Sequence, residues 1–270
     1  MPKIIVIGLG AMGASLAEAL NTHQNYIVYG YDLLDSVSQK AVSDGVIQQA
    51  ISCNQINNTS VDLIILATPP TAISELLSLL DPQQLILDLA SVKTPIMQAS
   101  ENYFHFVGGH PMVGTEKKGY GGRHAVNYRS ANFFLMGKQS DINHVIDLLE
   151  PIHSHFIQTT AKVHDENVAM TSDMPHIVAD ALVAAFIKNQ ETETTLSNYV
   201  GPGFRDTTRI AGANPELWSQ ILHANRDETY IAVTKFLEEL QKLQEALSDN
   251  DPSVLTAILT KIQNGRRTLL

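Results

Sequence analysis

Residues 108–116 read G-G-H-P-M-V-G-T-E, which sets one histidine between paired glycines and a proline. Imidazole takes up and gives back protons near neutral pH, so a fixed histidine suits acid–base work. The flanking Gly and Pro constrain the backbone, and the stretch reads as a loop that aims His110 at something. Taken alone, His110 could equally have its ring nitrogens satisfied inside that loop. The surrounding elements decide between these readings.

Those elements open with a nucleotide-binding pattern. The β-branched run Lys3–Ile7 reads as a buried parallel strand. It runs into Gly8-Leu9-Gly10-Ala11-Met12-Gly13 and then a helical stretch. Gly8 permits the tight turn, Gly10 lets the backbone approach a pyrophosphate, and Gly13 lets helix and strand pack closely. A second expected strand, residues 26–31, ends at Asp32, 19 residues after Gly13. That is the spacing of an acid that accepts from ribose hydroxyls, and its charge would repel a 2′-phosphate. NAD is therefore expected over NADP. Gly8, Gly10, Ala11, Met12, Gly13 and Asp32 are the expected cofactor-binding residues, joined by Thr68 and Pro69 after a later strand. A glycine-rich turn with no ligand is the alternative, and the strand–turn–helix–strand–acid order argues against it.

Further strands are expected at residues 61–67, 85–89, 104–107, 131–136 and 155–159, separated by helical segments. This pattern is an α/β fold, a Rossmann-type doubly wound parallel sheet over residues 1–160. Ligands bind such sheets at the carboxyl ends of strands. Thr68, Ser91 and His110 each follow a strand end, so they should converge on one crevice. From residue 161 to 270 the pattern is all helical. Residues 164–189 carry an apolar stripe of Val168, Ile177, Ala181, Ala184 and Ala185. One long helix is expected from Pro215 to about residue 248, with a seam of Val233, Phe236, Leu240, Leu243 and Leu247. Asp251 and Pro252 open a last helix. Such helices cannot bury their faces alone, so a homodimer through this half is expected.

Composition narrows the classes. The 270 residues carry a net charge of −10, which argues against nucleic-acid or membrane partners but not against small anions. Cys53 is the sole cysteine, so an intrachain disulfide is excluded and a reducing cytoplasm is expected. The apolar residues 4–20 read as a strand and helix, not a signal peptide or span, and no targeting segment is expected. His153 and His155 form an H-x-H pair without a completing Cys, His or Asp cluster, so no metal site is expected.

With these motifs in place, the chain resembles the prephenate dehydrogenases of tyrosine biosynthesis over nearly its whole length. The carriers are V-I-G-L-G-A-M-G-A-S-L at the start, D-L-A-S-V-K-T at 88–94 and G-G-H-P-M-V-G-T-E. In the helical half they are M-P-H at 174–176, G-F-R-D-T-T-R-I-A and N-P-E-L-W. The resemblance implies oxidative decarboxylation of prephenate with NAD⁺, giving 4-hydroxyphenylpyruvate, CO₂ and NADH. It implies a helical domain for substrate and dimerisation, and a chain without the fused chorismate mutase or ACT domain of some relatives.

Under that resemblance His110 draws the proton from the ring hydroxyl as hydride leaves, and Ser91 hydrogen-bonds the same hydroxyl. Ser91 would also suit the cap of the following helix, and the two roles are compatible. Arg209, the second arginine of F-R-D-T-T-R, grips a substrate carboxylate, and Arg205 pairs with a neighbouring acid. His176 lines the pocket, or else is a satisfied structural histidine. Trp218 reaches into the active site of its own or the partner subunit, or else is a core residue. Glu116, Asp165 and Asp206 build an ionic network around the arginine. Asp173 stands where many relatives carry histidine, and an acid there could favour arogenate, whose amino group is cationic. Arogenate or dual cyclohexadienyl specificity is the nearer alternative. A β-hydroxyacid dehydrogenase of the 6-phosphogluconate type, or a nucleotide sensor without turnover, is more distant.

Overall fold

The computed structural model describes residues 1–270 apart from 24, 115, 116, 118, 191–194 and 270, and apart from the side chain of Ala125. The chain divides into two compact units: residues 1–167 with 212–225, and residues 168–211 with 226–270.

The first unit opens as β1 (Lys3–Ile7), α1 (Ala11–Asn21), β2 (Ile27–Tyr31), α2 (Asp35–Ser43) and β3 (Gln49–Ala50). It continues through β4 (Leu63–Leu66), α3 (Pro70–Leu77), β5 (Ile86–Asp88), α4 (Thr94–Ala99) and β6 (Phe106–Pro111). Then come β7 (Asn132–Gly137), α5 (Gln139–Leu149), β8 (His155–Gln158) and α6 (Ala161–Val168). The strands form one sheet in the order β3-β2-β1-β4-β5-β6-β7-β8. Successive residues of each strand feed opposite layers, as the two-residue period requires. Ile4, Val6, Ile65, Leu87 and Val107 pack with Leu16 and Leu20 of α1 and Val145 of α5. Ile5, Ile7, Ile64, Leu66 and Ile86 pack with Ile73 of α3 and Ile96 of α4. Both faces are thus covered, which explains the uninterrupted apolar runs of the central strands.

Three expectations about this unit need correction. The sheet is not wholly parallel, because β7 runs antiparallel to β6. The connection between them goes into a 3₁₀ turn, Tyr120–Ala125, instead of a crossover helix. That turn region is tied back to α1: Ser15 Oγ donates to the Arg123 carbonyl at 2.5 Å and Tyr128 Oη to the Met12 carbonyl at 3.0 Å. Second, the short strand β3 has no counterpart in the sequence reading. Third, Gly108–Pro111 is strand and not loop, with His110 paired to Phe134. Its glycines serve close packing: a Cβ on Gly109 would lie 2.6 Å from the Asp88 carbonyl oxygen, and one on Gly108 would lie 2.8 Å from Met97 Sδ.

The second unit is helical. A π-helical turn, Ala169–Asp173, precedes α7 (Met174–Gln190), and α8 (Pro202–Thr208) follows. The expected single helix from Pro215 is two. Helix α9 (Pro215–Ala224) belongs to the first unit and α10 (Arg226–Ser248) to the second. Asn225 ends α9, and its side chain is drawn off to donate to the Asp165 carbonyl at 3.1 Å. Helix α11 (Pro252–Leu269) closes the chain. The stretch Ala161–Gln190 is long and apolar enough to cross a membrane by length and composition alone.

Candidate active site

Sheet register fixes where the site must be. Ile7, Leu66, Asp88 and Gly108 stand level across β1, β4, β5 and β6. Gly8, Thr68, Ser91 and His110 therefore all follow that level, on the carboxyl edge of the parallel strands. His110 lies two residues beyond it because pairing with β7 prolongs β6.

A hydrogen-bonded chain of side chains backs the imidazole. His110 Nδ1 is 2.8 Å from His164 Nε2, and the two rings meet edge-on at 72°. His164 Nδ1 is 2.8 Å from Asp165 Oδ1. The Asp165 carboxylate also accepts from the backbone N–H groups of Lys93 (2.9 Å) and Thr94 (2.7 Å). Asp165 therefore caps the N-terminus of α4, where negative charge is favoured. Burial opposes its charge, yet the bonds from His164, Thr94 and Lys93 hold it below the usual carboxylate range. His110 is held well below its ordinary 6.5, by burial first, then by the neighbouring His164 and Lys93, with Asp165 opposing. It is thus a neutral imidazole at physiological pH.

Beneath this chain lies a fully buried ion pair. Lys93 Nζ donates to Asp88 Oδ1 and, at 2.7 Å, to the Gly109 carbonyl. Asp88 also accepts from the N–H of Ala90 at 2.9 Å. Burial raises Asp88 and lowers Lys93, each opposed by the partner's opposite charge. The pair locks the turn after β5 to the residue before His110.

At the other end of the edge the glycine turn is shaped for a phosphate. Gly8 has φ +92°, and a Cβ there would lie 2.7 Å from the Ala67 carbonyl oxygen. A Cβ on Gly13 would collide with the Gly8 carbonyl oxygen. Beside Gly10, by contrast, the space is open. Gly10 also starts α1 without a side-chain cap, so the first-turn N–H groups have no acceptor within the helix itself. Asp32 accepts from Leu9 N at 2.8 Å and Leu34 N at 3.0 Å, which closes the turn. Thr68 Oγ1 is buried with no hydrogen-bond partner among the described residues. An uncapped helix start, an open cradle at Gly10 and an orphaned hydroxyl fit a dinucleotide phosphate.

Comparison with known proteins names the family. Residues 16–158 match the family model described as prephenate dehydrogenase, nucleotide-binding domain, and residues 160–261 the prephenate dehydrogenase dimerization domain. The chain belongs to the prephenate dehydrogenase family. It is 28% identical over 262 residues to the prephenate dehydrogenase of Bacillus subtilis (strain 168), covering 92% of this chain and 71% of that protein. Among solved structures it is similar to prephenate dehydrogenase from Aquifex aeolicus in complex with hydroxyphenyl propionate and NAD⁺. That likeness has a TM-score of 0.91 at 28% identity, over 100% of this chain and 99% of the other. It is also similar to Synechocystis arogenate dehydrogenase, with a TM-score of 0.83 at 28% identity over 99% and 100%.

Within this prephenate dehydrogenase fold the remaining expected residues fall as follows. Ser91 is half-buried in the turn between β5 and α4, and the cap that it was expected to supply comes from Asp165 instead. Asp165 is thus a helix cap and a partner of His164. Trp218 is half-buried on α9 and does not line the groove of about 360 Å³ formed by Pro70, Thr71, Pro95, Ile96, Gln220 and His223. In the second unit, Arg209 and Asp206 are exposed, and Arg205 donates to the Val200 carbonyl at 2.8 Å. His176 is buried, 3.6 Å from Asp180, and burial lowers its pKa. Asp173 is fully buried in the π-helical turn and accepts from Thr229 Oγ1 at 3.0 Å. Glu116 lies outside the described residues. Sequence reasoning missed His164, Asp88 and Lys93 as parts of the site. The last two had a signal, a lysine five residues after a carboxylate that ends an apolar strand.

Proposed function

We propose that this chain catalyses the NAD-dependent oxidative decarboxylation of prephenate to 4-hydroxyphenylpyruvate and CO₂ in the bacterial route to tyrosine. The observation that carries this reading is His110, a neutral imidazole fixed on the carboxyl edge of a dinucleotide-binding sheet. Gly8, Gly10, Ala11, Met12 and Gly13 would hold the pyrophosphate of NAD, Asp32 the ribose, and Thr68 and Pro69 the adjoining part. NAD bound there would supply the acceptor for the hydride of the hydroxyl-bearing ring carbon. His110 takes the hydroxyl proton as that C–H bond breaks, so positive charge does not build on the carbon. Ser91 steadies the same oxygen. The electron pair of the breaking C–CO₂ bond then aromatises the ring, and the oxygen takes the proton back from His110. Arg209, with His176, Trp218 and Glu116, serves the substrate's carboxylates and side chain, a guanidinium fork being the best match for a carboxylate.

The organisation proposed is residues 1–160 for the dinucleotide and 161–270 for substrate and dimerisation, as a homodimer in the reducing cytoplasm. Exposed apolar residues on the helical half support the dimer, among them Leu182, Ile187, Leu240 and Leu247. Arogenate is the nearer alternative, supported by the acid at Asp173, which accepts from Thr229 Oγ1, and by a similar structure of that name. Absorbance of NADH, followed with prephenate and arogenate and with NAD⁺ and NADP⁺, tests the reading. Prephenate with NAD⁺ is expected to give the highest kcat/KM. Turnover of arogenate alone would move the substrate, and turnover of neither with NAD⁺ bound would favour a sensor.

A further inference from the structure

A general base must present a lone pair at the nitrogen that faces its substrate. A neutral imidazole has one N–H and one lone pair, so its tautomer matters as much as its pKa. Nothing in the sequence motif around His110 sets that tautomer. The hydrogen-bonded chain behind it does.

The deduction starts at Asp165. Its carboxylate faces three groups, and two of them are backbone N–H groups, at Lys93 and Thr94. Ionised as it is, it has no proton to give, so the third neighbour, His164 Nδ1, must be the donor. With a single ring proton, placed on Nδ1 by this contact, His164 presents the lone pair of Nε2. That nitrogen is 2.8 Å from His110 Nδ1, which must therefore carry the proton of His110. His110 Nε2 is left bare. With one proton on each ring, reversing any one link would put two N–H groups, or two lone pairs, face to face. Both partners are rigidly set: the side chains of His164 and Asp165 are 1% and 2% exposed. His164 also lies edge-on to Phe134 of β7, the strand that holds His110 in register.

From this we infer that His164 is a positioning residue that fixes His110 in the Nδ1–H tautomer, with Asp165 orienting His164 in turn. The arrangement resembles the logic by which a buried carboxylate sets the tautomer of a catalytic histidine, here passed through a second imidazole. It rests on the reading of His110 as the base, which it deepens by naming the nitrogen that acts. Asp165 has a double duty, since the same carboxylate caps α4 and so couples the turn carrying Ser91 to the orientation of His110.

The test uses wild-type protein labelled with ¹⁵N-histidine, with His110→Asn identifying the His110 signals. At pH above 7 the His110 signals are expected to show a protonated Nδ1 and a bare Nε2; a protonated Nε2 overturns the inference. In parallel, His164→Leu is expected to lower kcat at least about tenfold with the Kd for NAD⁺ unchanged. His164→Gln, whose amide oxygen can accept from His110 Nδ1, is expected to regain most of that loss. Equal losses in the two variants would make His164 a packing residue, and a His164→Leu enzyme within twofold of wild type would leave it no role. His110→Asn turning over at the wild-type rate would remove the base assignment itself, a result that the tautomer measurement does not depend on.

Discussion

His110 can act only while neutral, and what keeps it neutral is burial, reinforced by the neighbouring His164 and Lys93. The charged form is the disfavoured one, so the pKa moves down and the base stays available on the acid side of neutrality. The acid limb of kcat/KM is therefore expected below pH 6.5, the ordinary histidine value, and a limb above pH 7 would mean that another group is being titrated. Asp32 gives a second test, since its carboxylate both closes the glycine turn through Leu9 and faces the ribose in our reading. Asp32→Ser is expected to lower the ratio of kcat/KM for NAD⁺ over NADP⁺ by about tenfold or more; an unchanged ratio would place the ribose acid elsewhere. Both residues were legible as candidates because their neighbours in sequence announce them. His164 was not, because its meaning comes from a contact across 54 residues of chain.

The turn from β5 into α4 carries more than its few residues suggest. Asp88 and Lys93 are both completely buried, and they tie β5 to the carbonyl of Gly109. Removing one charge of such a pair strands the other, at a cost of about 3–5 kcal/mol. Lys93→Met should lose that much in urea unfolding, and a loss within about 0.5 kcal/mol, the scale of an ordinary surface substitution, would show that Asp88 takes a proton and needs no partner. Continuous apolar runs made β1 and β4 readable, because only a strand covered on both faces needs them. The end of β6 was not readable, since G-G-H-P has the composition of a loop while its glycines are there for contact with Asp88, Leu87 and Met97. The split between α9 and α10 was hidden for a similar reason. Apolar periodicity runs through Asn225, and only the bond to the Asp165 carbonyl shows why the first helix stops.

Assembly follows from what a single chain leaves uncovered. The apolar stripes read from the sequence are only partly buried: Leu240 is 48% exposed and Leu247 70% exposed on α10. Ala181, Ala184 and Ala185 of α7 are exposed as well. A second copy would cover such faces, in keeping with the dimerization domain matched over residues 160–261. Leu240→Asp combined with Leu247→Asp is expected to shift the protein from dimer to monomer in sedimentation, and a dimer that survives both charges would place the interface on another face. The division into a sheet half and a helical half could be read from the change of period near residue 160. The transfer of α9 to the sheet unit could not, because it depends on packing, with Thr71 of α3 donating to Gln220 of α9.

The base assignment is tested most directly by the turnover of His110→Asn with saturating NAD⁺ and prephenate, alongside its Kd for NAD⁺. Loss of a positioned general base predicts a fall in kcat of about 10²–10⁴-fold with nucleotide affinity unchanged. A variant that turns over within a few-fold of wild type would contradict the account.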